Sequence, residues 1–232
     1  VVSLKNIEIG LEKQNIDFIR NEPLKNHTSF KRGGEARIFA VPQNEDEIKK
    51  IISLCNSSGV SYFVLGNGSN ILVPDEGISD SVVIYLGEKF SYINETDDGK
   101  IIVGAGTKLV QVCRYALEKS LTGLEFAFGI PGSVGGAAYM NAGAYGGEIC
   151  QVCQSVDVMD RDGNIKTYSA EEMEFSYRHS VLENTKICRH SAAVSAKTRI
   201  ITSCSISARG ALLFIGCPPV RCAARSSSAV PV

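Results

Sequence analysis

Residues Gly129 to Gly147 read GIPGSVGGAAYMNAGAYGG; seven of these nineteen are glycine and none is charged. Each glycine inside a helix or strand costs about 0.5–1 kcal/mol relative to alanine, so the run is expected to be neither. Two readings fit it. It is either a linker or set of tight turns, or a backbone concavity whose N–H groups converge on anionic oxygens, above all a pyrophosphate. Pro131, Asn141 and Tyr145 weigh against a floppy linker, because flexible linkers use Gly and Ser without stiff or aromatic residues.

Upstream, Ile101–Val103 reads as a strand ending in Gly104-Ala105-Gly106. A helix over Lys108–Lys119 follows, with Thr107 as its cap and Leu109, Val110, Cys113, Ala116 and Leu117 on its inner side. The order strand, Gly-x-Gly, helix imitates a dinucleotide fingerprint, but Leu109 stands where its third glycine belongs, so a close helix–strand turn is the better reading. A second such turn, Gly66-Asn67-Gly68-Ser69-Asn70, leaves a strand at Tyr62–Leu65 and offers another backbone approach to a phosphate. Read alone, that loop is more often a turn than a site. Ile71-Leu72-Val73-Pro74 after it looks like a strand rather than a helix, which disfavours a Rossmann arrangement.

Farther upstream, Arg37–Val41 is a strand stopped by Pro42. The next helix has Asn44 as N-cap, Glu47 three residues on, and Ile48, Ile51, Ile52 and Cys55 on one face before Gly59. Residues 37–65 are therefore expected to form a β-α-β unit with a parallel pair. Val82–Leu86 is a further strand.

Downstream, Ser155–Met159 and Asn164–Tyr168 flank Asp160-Arg161-Asp162-Gly163, a hairpin by its Asp-Gly signal. Ser169 and Glu172 form a capping box expected to open a short helix before Phe175-Ser-Tyr-Arg-His-Ser180. Arg178 is the cation of interest there. A guanidinium offers a fixed fork to a carboxylate or developing enolate, although a lone arginine is more often a surface or ion-pair residue. His179 has no partner visible in the sequence.

A chain of 232 residues with 44% apolar and 21% charged residues has ordinary globular composition. No run approaches the roughly 18 apolar residues of a membrane span. The first residues, VVSLKNIEIGLEK, carry charges where a signal peptide would be apolar. A cytoplasmic protein is expected, and the absence of an initiating Met suggests a trimmed or partial chain. Cys150-Gln-Val-Cys153 has neither a second pair nor a nearby His, so two semi-buried thiols are expected and no metal site is assigned.

LGNGSN at 65–70, GAGT at 104–107, GLEFAFGIPGSVGGAAYMNAGAYGGEI at 123–149 and FSYRHS at 175–180 together resemble the UDP-N-acetylenolpyruvoylglucosamine reductase family. The resemblance runs from near Asn21 to about Glu183. It implies an α+β, two-lobed FAD-binding fold of the vanillyl-alcohol-oxidase type, with a first lobe over 1–86 and a second over 87–183. It also implies FAD and NADPH as cofactors, a UDP-sugar as substrate, and a role in peptidoglycan synthesis, with neither nucleic acid nor membrane as partner. By the same resemblance the cofactor-binding residues are Gly66, Asn67, Gly68, Ser69, Asn70, Pro131, Gly132, Ser133, Gly135, Gly136, Asn141 and Gly143. Arg178 corresponds to the family's carboxylate-holding catalytic arginine.

The pattern stops near Glu183. All 25 acidic residues lie in 1–183, whereas 184–232 hold seven Lys and Arg and no acid. The family's proton-donating serine, in an Ala-Gly-Ser-x-Phe setting, and its late glutamate have no match there. Residues 184–232 are expected to be an aberrant or disordered tail, in place of the substrate-binding domain, and the activity is expected to be impaired. The alternatives are a flavin-binding remnant without catalysis, another FAD oxidoreductase of this fold and, for the tail, a basic surface for nucleic acid or membrane. Seven cations over 49 residues are sparse for that last role.

Overall fold

Asn44 fixes the start of the first long amphipathic helix: its side-chain Oδ1 accepts the Glu47 N–H at 3.0 Å. The Glu47 carboxylate reaches back to the Gln43 N–H at 2.8 Å rather than to that of Asn44. The helix runs Glu45–Ser58 and ends where Gly59 takes φ +62. Ile48, Ile51, Ile52 and Cys55, spaced by three and four residues, are its buried face.

A computed structural model of the chain describes residues 2–97, 100–184 and 194–200. Its first part comprises α1 Val2–Lys13, β1 Phe18–Pro23, β2 Glu35–Ala40, the helix just described as α2, β3 Ser61–Leu65 and β4 Ile78–Tyr85. Leu4, Ile7 and Leu11 of α1 enter the same core as the buried face of α2. The sheet order is β1-β2-β4-β3. β1 is antiparallel to β2, while β4 is parallel to both β2 and β3 and lies between them. The β-α-β unit is thus present, but its two strands are separated by β4 instead of pairing directly. Ile71-Leu72-Val73-Pro74 is not a strand. Val73 is buried and Leu72 is 74% exposed, so this apolar run serves one anchoring side chain rather than a ladder.

The second part comprises β5 Ile93–Glu95, β6 Ile101–Gly104, α3 Leu109–Glu118, α4 Val134–Tyr139, β7 Gly143–Ala144, β8 Gly147–Glu148, β9 Cys153–Met159, β10 Ile165–Ser169, α5 Val181–Asn184 and β11 Val194–Ile200. Four corrections to the sequence reading belong here. The glycine run holds both a helix, the six residues of α4, and strand residues, β7 with the first residue of β8. The inner residues of α3 are Leu109, Val112, Cys113 and Ala116, whereas Leu117 is 78% exposed, because the 3.6-residue turn carries it round to the outside. Thr107 does not cap α3; its hydroxyl accepts from the Tyr92 N–H at 3.0 Å and donates to the Tyr92 carbonyl at 3.1 Å. The Ser169–Glu172 box forms at 3.2 and 2.9 Å but closes a turn, not a helix.

The second sheet is ordered β10-β9-β11-β6-β5, with antiparallel pairing throughout. Its central strand therefore comes from residues 194–200, within the segment read from sequence as a tail; 185–193 and 201–232 lie outside the described residues. Thr198 is paired with Val103 on one side and Val156 on the other. The two sheets meet where Phe90, Ala105 and Met159 join Ile84 and Leu86 in one apolar cluster. Burial at this seam, helped by Glu45 from one part and Asp157 from the other, pushes the Tyr92 hydroxyl up to about 12.

A proline at a central-strand position removes a ladder hydrogen bond and leaves a carbonyl unpaired, at a cost of about 1–3 kcal/mol. Thr198→Pro in the full chain is expected to lower the urea midpoint accordingly; an unchanged midpoint would count against β11 as a ladder strand.

Candidate functional site

Gly66–Asn70 leaves the C-terminal end of β3, at the edge of the first sheet. Gly68 takes φ +59, and a Cβ on it would collide with the His27 carbonyl, so glycine is required on both counts. The loop is fixed from beneath by the Ser29 N–H, which donates to the Gly68 carbonyl at 3.0 Å. Beside it, a Cβ on Gly66 would strike Ser133 Oγ. That contact brings the first glycine loop against the second.

The second loop is held by the segment 105–109. Leu109 N–H donates to Gly132 O at 2.9 Å, Val134 N–H to Thr107 O at 2.9 Å, and Gly135 N–H to Ala105 O at 2.9 Å. The Gly104-Ala105-Gly106-Thr107 turn is therefore the scaffold of the glycine run, a role its imperfect fingerprint did not announce. Asn67 closes the pair of loops by donating Nδ2 to the Pro131 carbonyl at 2.6 Å.

These bonds leave a specific set of donors. Among the described residues, the N–H groups of Asn67, Gly68, Ser69 and Asn70 meet no protein acceptor, nor do those of Ser133 and Gly136. Ser133, 3% exposed, adds a hydroxyl between the two loops with no side-chain capping bond to α4. Neighbouring N–H groups without protein acceptors, with a hydroxyl among them, make a candidate oxyanion cradle. A diphosphate matches this donor set, because its oxygens accept several hydrogen bonds and carry negative charge. No group of three or more His, Cys, Asp or Glu able to hold a metal occurs among the described residues.

Arg178 stands at the border of this cradle. It occupies φ +51 in a tight turn whose Ser176 and His179 exchange backbone bonds at 3.1 and 3.2 Å. Its Nη2 donates to Asn70 Oδ1 at 3.2 Å and approaches Met140 Sδ at 3.9 Å, and Asn70 Nδ2 lies 3.6 Å from the same sulfur. The arginine is thus tied to the first glycine loop across 108 residues of sequence. Met140 had no sequence signal. His179, which showed no partner in the sequence, pairs through Nδ1 with Glu183 at 2.7 Å.

Two residues expected in the cofactor set are engaged differently. Asn141 is 1% exposed and its amide is spent on protein partners. Gly143 pairs with Glu148 in the β7–β8 hairpin. Gly66–Asn70 with Pro131, Gly132, Ser133, Gly135 and Gly136 are the residues brought together. Cys150 and Cys153 are both buried and neither forms a disulfide, and burial pushes Cys153 up to about 12. Redox and metal cysteines need the opposite shift.

Two α+β lobes with a diphosphate-type donor set between them suit a dinucleotide-cofactor protein. Residues 36–169, more than half the chain, match the family described as FAD binding domain, and the chain belongs to that family. A chitooligosaccharide oxidase shares the fold with TM-score 0.62 over 86% of this chain and 43% of its own, at 13% identity; with the family match, the architecture is the FAD-binding fold of the vanillyl-alcohol-oxidase type.

Within that class the chain is similar to UDP-N-acetylenolpyruvoylglucosamine reductase. The Clostridium novyi (strain NT) protein is 47% identical over 180 residues, 77% of this chain and 56% of that protein. The structure of the Thermus caldophilus reductase aligns with TM-score 0.64 at 33% identity, covering 81% of this chain and 62% of that one. The chain thus spans little more than half the length of the Clostridium protein.

Gly68→Ala adds a clash with backbone and left-handed strain, each worth about 1–3 kcal/mol; a clear drop in melting temperature with loss of bound flavin is expected, measured by calorimetry and visible absorbance. Burial also raises Cys55 to about 12 and Cys113 to about 11. Peptide-resolved alkylation at pH 8 is expected to label these two and Cys153 at least about tenfold more slowly than free cysteine.

Proposed function

We propose that this chain is the flavin-binding part of a UDP-N-acetylenolpyruvoylglucosamine reductase, which uses NADPH and FAD to reduce the enolpyruvyl group of UDP-N-acetylglucosamine enolpyruvate to UDP-N-acetylmuramate. The observation that supports the reading is the tie between Arg178 and Asn70, which holds a guanidinium fork beside the two glycine loops. When bound, FAD supplies the hydride chemistry. The chain's own residues bind and polarise.

In this reading the N–H groups of Asn67–Asn70, Ser133 and Gly136, with Ser133 Oγ, hold the cofactor's diphosphate. Pro131, Gly132 and Gly135 give those donors their path. Arg178 holds the substrate carboxylate and stabilises the negative charge that develops beside it as the double bond is reduced. Residues 1–86 form one flavin lobe and 87–183 the other, the second completed by the strand at 194–200. The remainder of 184–232 stands in place of the relatives' substrate-binding region. A nucleotide-sugar reduction of this kind belongs in the cytoplasm and serves cell-wall formation, shape and division.

The test is anaerobic. The purified chain is expected to carry a flavin absorbance band that NADPH bleaches and the enolpyruvyl UDP-sugar restores slowly, since the substrate-binding domain has no match in it. Bleaching without restoration would identify a flavin-binding chain without turnover, and no flavin at all would overturn both. Arg178→Lys keeps the charge but loses the planar fork, so it is expected to retain flavin and slow restoration about 10²-fold.

A further inference from the structure

The Ser176–His179 turn holds Arg178 in a backbone conformation that non-glycine residues seldom adopt, φ +51. An exposed turn of that kind is held only if bonds outside it outweigh the strain. One buried side chain meets the requirement. Asn141 Nδ2 donates to the Ser176 carbonyl at 3.0 Å and to Glu148 Oε2 at 2.8 Å, while its Oδ1 accepts the Cys150 N–H at 3.0 Å. Both amide donors and the amide oxygen are engaged, on two segments: the turn and the continuous stretch 148–150.

We infer that Asn141 is a positioning residue for Arg178, fixing the turn that carries the guanidinium rather than contacting the cofactor; the inference rests on the proposed role of Arg178. Three features of the residue type fit this task. Asparagine tolerates the left-handed backbone, here φ +44, at the exit of α4. It carries both a donor and an acceptor on one rigid group, so it can satisfy a carbonyl and an N–H at once. Being neutral, it can be buried beside Glu148 without a second charge. Ser180 supplements it, donating Oγ to the Tyr139 carbonyl at 2.5 Å just after the turn. Together they pin the turn on either side of Met140, the residue that follows α4. Arg178 is then free to swing only at its side chain, where Asn70 takes it up.

Glycine and aspartate at position 141 separate this role from its alternatives. Asn141→Gly removes the amide but relieves the left-handed backbone, so any loosening of the turn must come from lost hydrogen bonds. Asn141→Asp keeps the acceptor for Cys150 and turns the donor facing Ser176 O and Glu148 into a repelling oxygen. The readout on the full chain is limited trypsin digestion, with cleavage after Arg178 compared with cleavage after Arg161 in the β9–β10 hairpin. Cleavage of a transiently opened segment follows its opening equilibrium. Both variants are expected to raise the Arg178-to-Arg161 ratio about tenfold or more, the equivalent of one or two hydrogen bonds, with the FAD dissociation constant within about twofold of the parent. An unchanged ratio, an equal rise at both sites, or a large loss of flavin affinity without a change in ratio would overturn the inference. Failure of the proposed reaction appears separately, as a parent chain whose flavin is never reoxidised by the enolpyruvyl substrate while the cleavage ratios still shift.

Discussion

The structure depends on how closely two stretches of backbone approach where the lobes meet. Val134 and Gly135 donate to the carbonyls of Thr107 and Ala105, and Ser133 Oγ fills the space that a side chain on Gly66 would need. This contact does two things at once. It ties the glycine run to β6 and the start of α3, and it selects which N–H groups remain for a ligand. The first turn of a helix has four N–H groups without internal partners. Here Val134 and Gly135 are satisfied by the 105–107 segment of the same lobe, leaving Gly136, while Ser133 precedes them. The donors offered to an anion are therefore a remainder fixed by packing, not a property of α4, whose six residues are too few for a useful dipole.

How much of this was legible in sequence follows from the range of each signal. The α2 helix was readable because cap, acidic first turn, apolar face and terminal glycine are all local and agree. The Asp160–Gly163 hairpin was readable for the same reason, with the Asp160 side chain accepting from Asp162 and Asn164 N–H at 2.9 and 2.8 Å. Strand order was not. β4 enters between β2 and β3 with nothing in its sequence to say so, since an apolar run such as Val82-Val83-Ile84 suits any buried position. Thr107 misled because a threonine before a helix is a good cap by type, whereas here its hydroxyl serves Tyr92 fifteen residues away.

The segment after Glu183 shows composition and pairing pulling apart. Loss of acidic residues and of family motifs describes side chains, yet a ladder is made by backbone groups that nearly every residue possesses. β6 and β9 each present an edge, and β11 fills the gap between them with irregular register at two points. A strand of Val, Ser, Ala, Lys, Thr, Arg and Ile is an uncommon choice for the middle of a sheet. Its place there is explained by the demand of two unpaired edges rather than by its own propensity. The second lobe and the fate of residues 194–200 are consequently one question, whatever the origin of the sequence beyond them.

The candidate site shows the same division between what carries chemistry and what holds it. Arg178 is exposed and charged, and its isolated value as an ion-pair partner would be small. Its usefulness comes from constraint: the turn below it is pinned by Asn141 and Ser180, and its side chain is met by Asn70 from the other lobe. The two bonds that pin the turn are neutral, and the third sets the charged guanidinium on a neutral amide oxygen. A charged partner in their place would pair with the guanidinium and compete with an incoming carboxylate, whereas an amide oxygen orients it and leaves its charge unneutralised. The cradle works on the same principle, offering backbone N–H groups without a cation among them. A site built from neutral dipoles and one arginine without a carboxylate partner suits a ligand that brings its own negative charge.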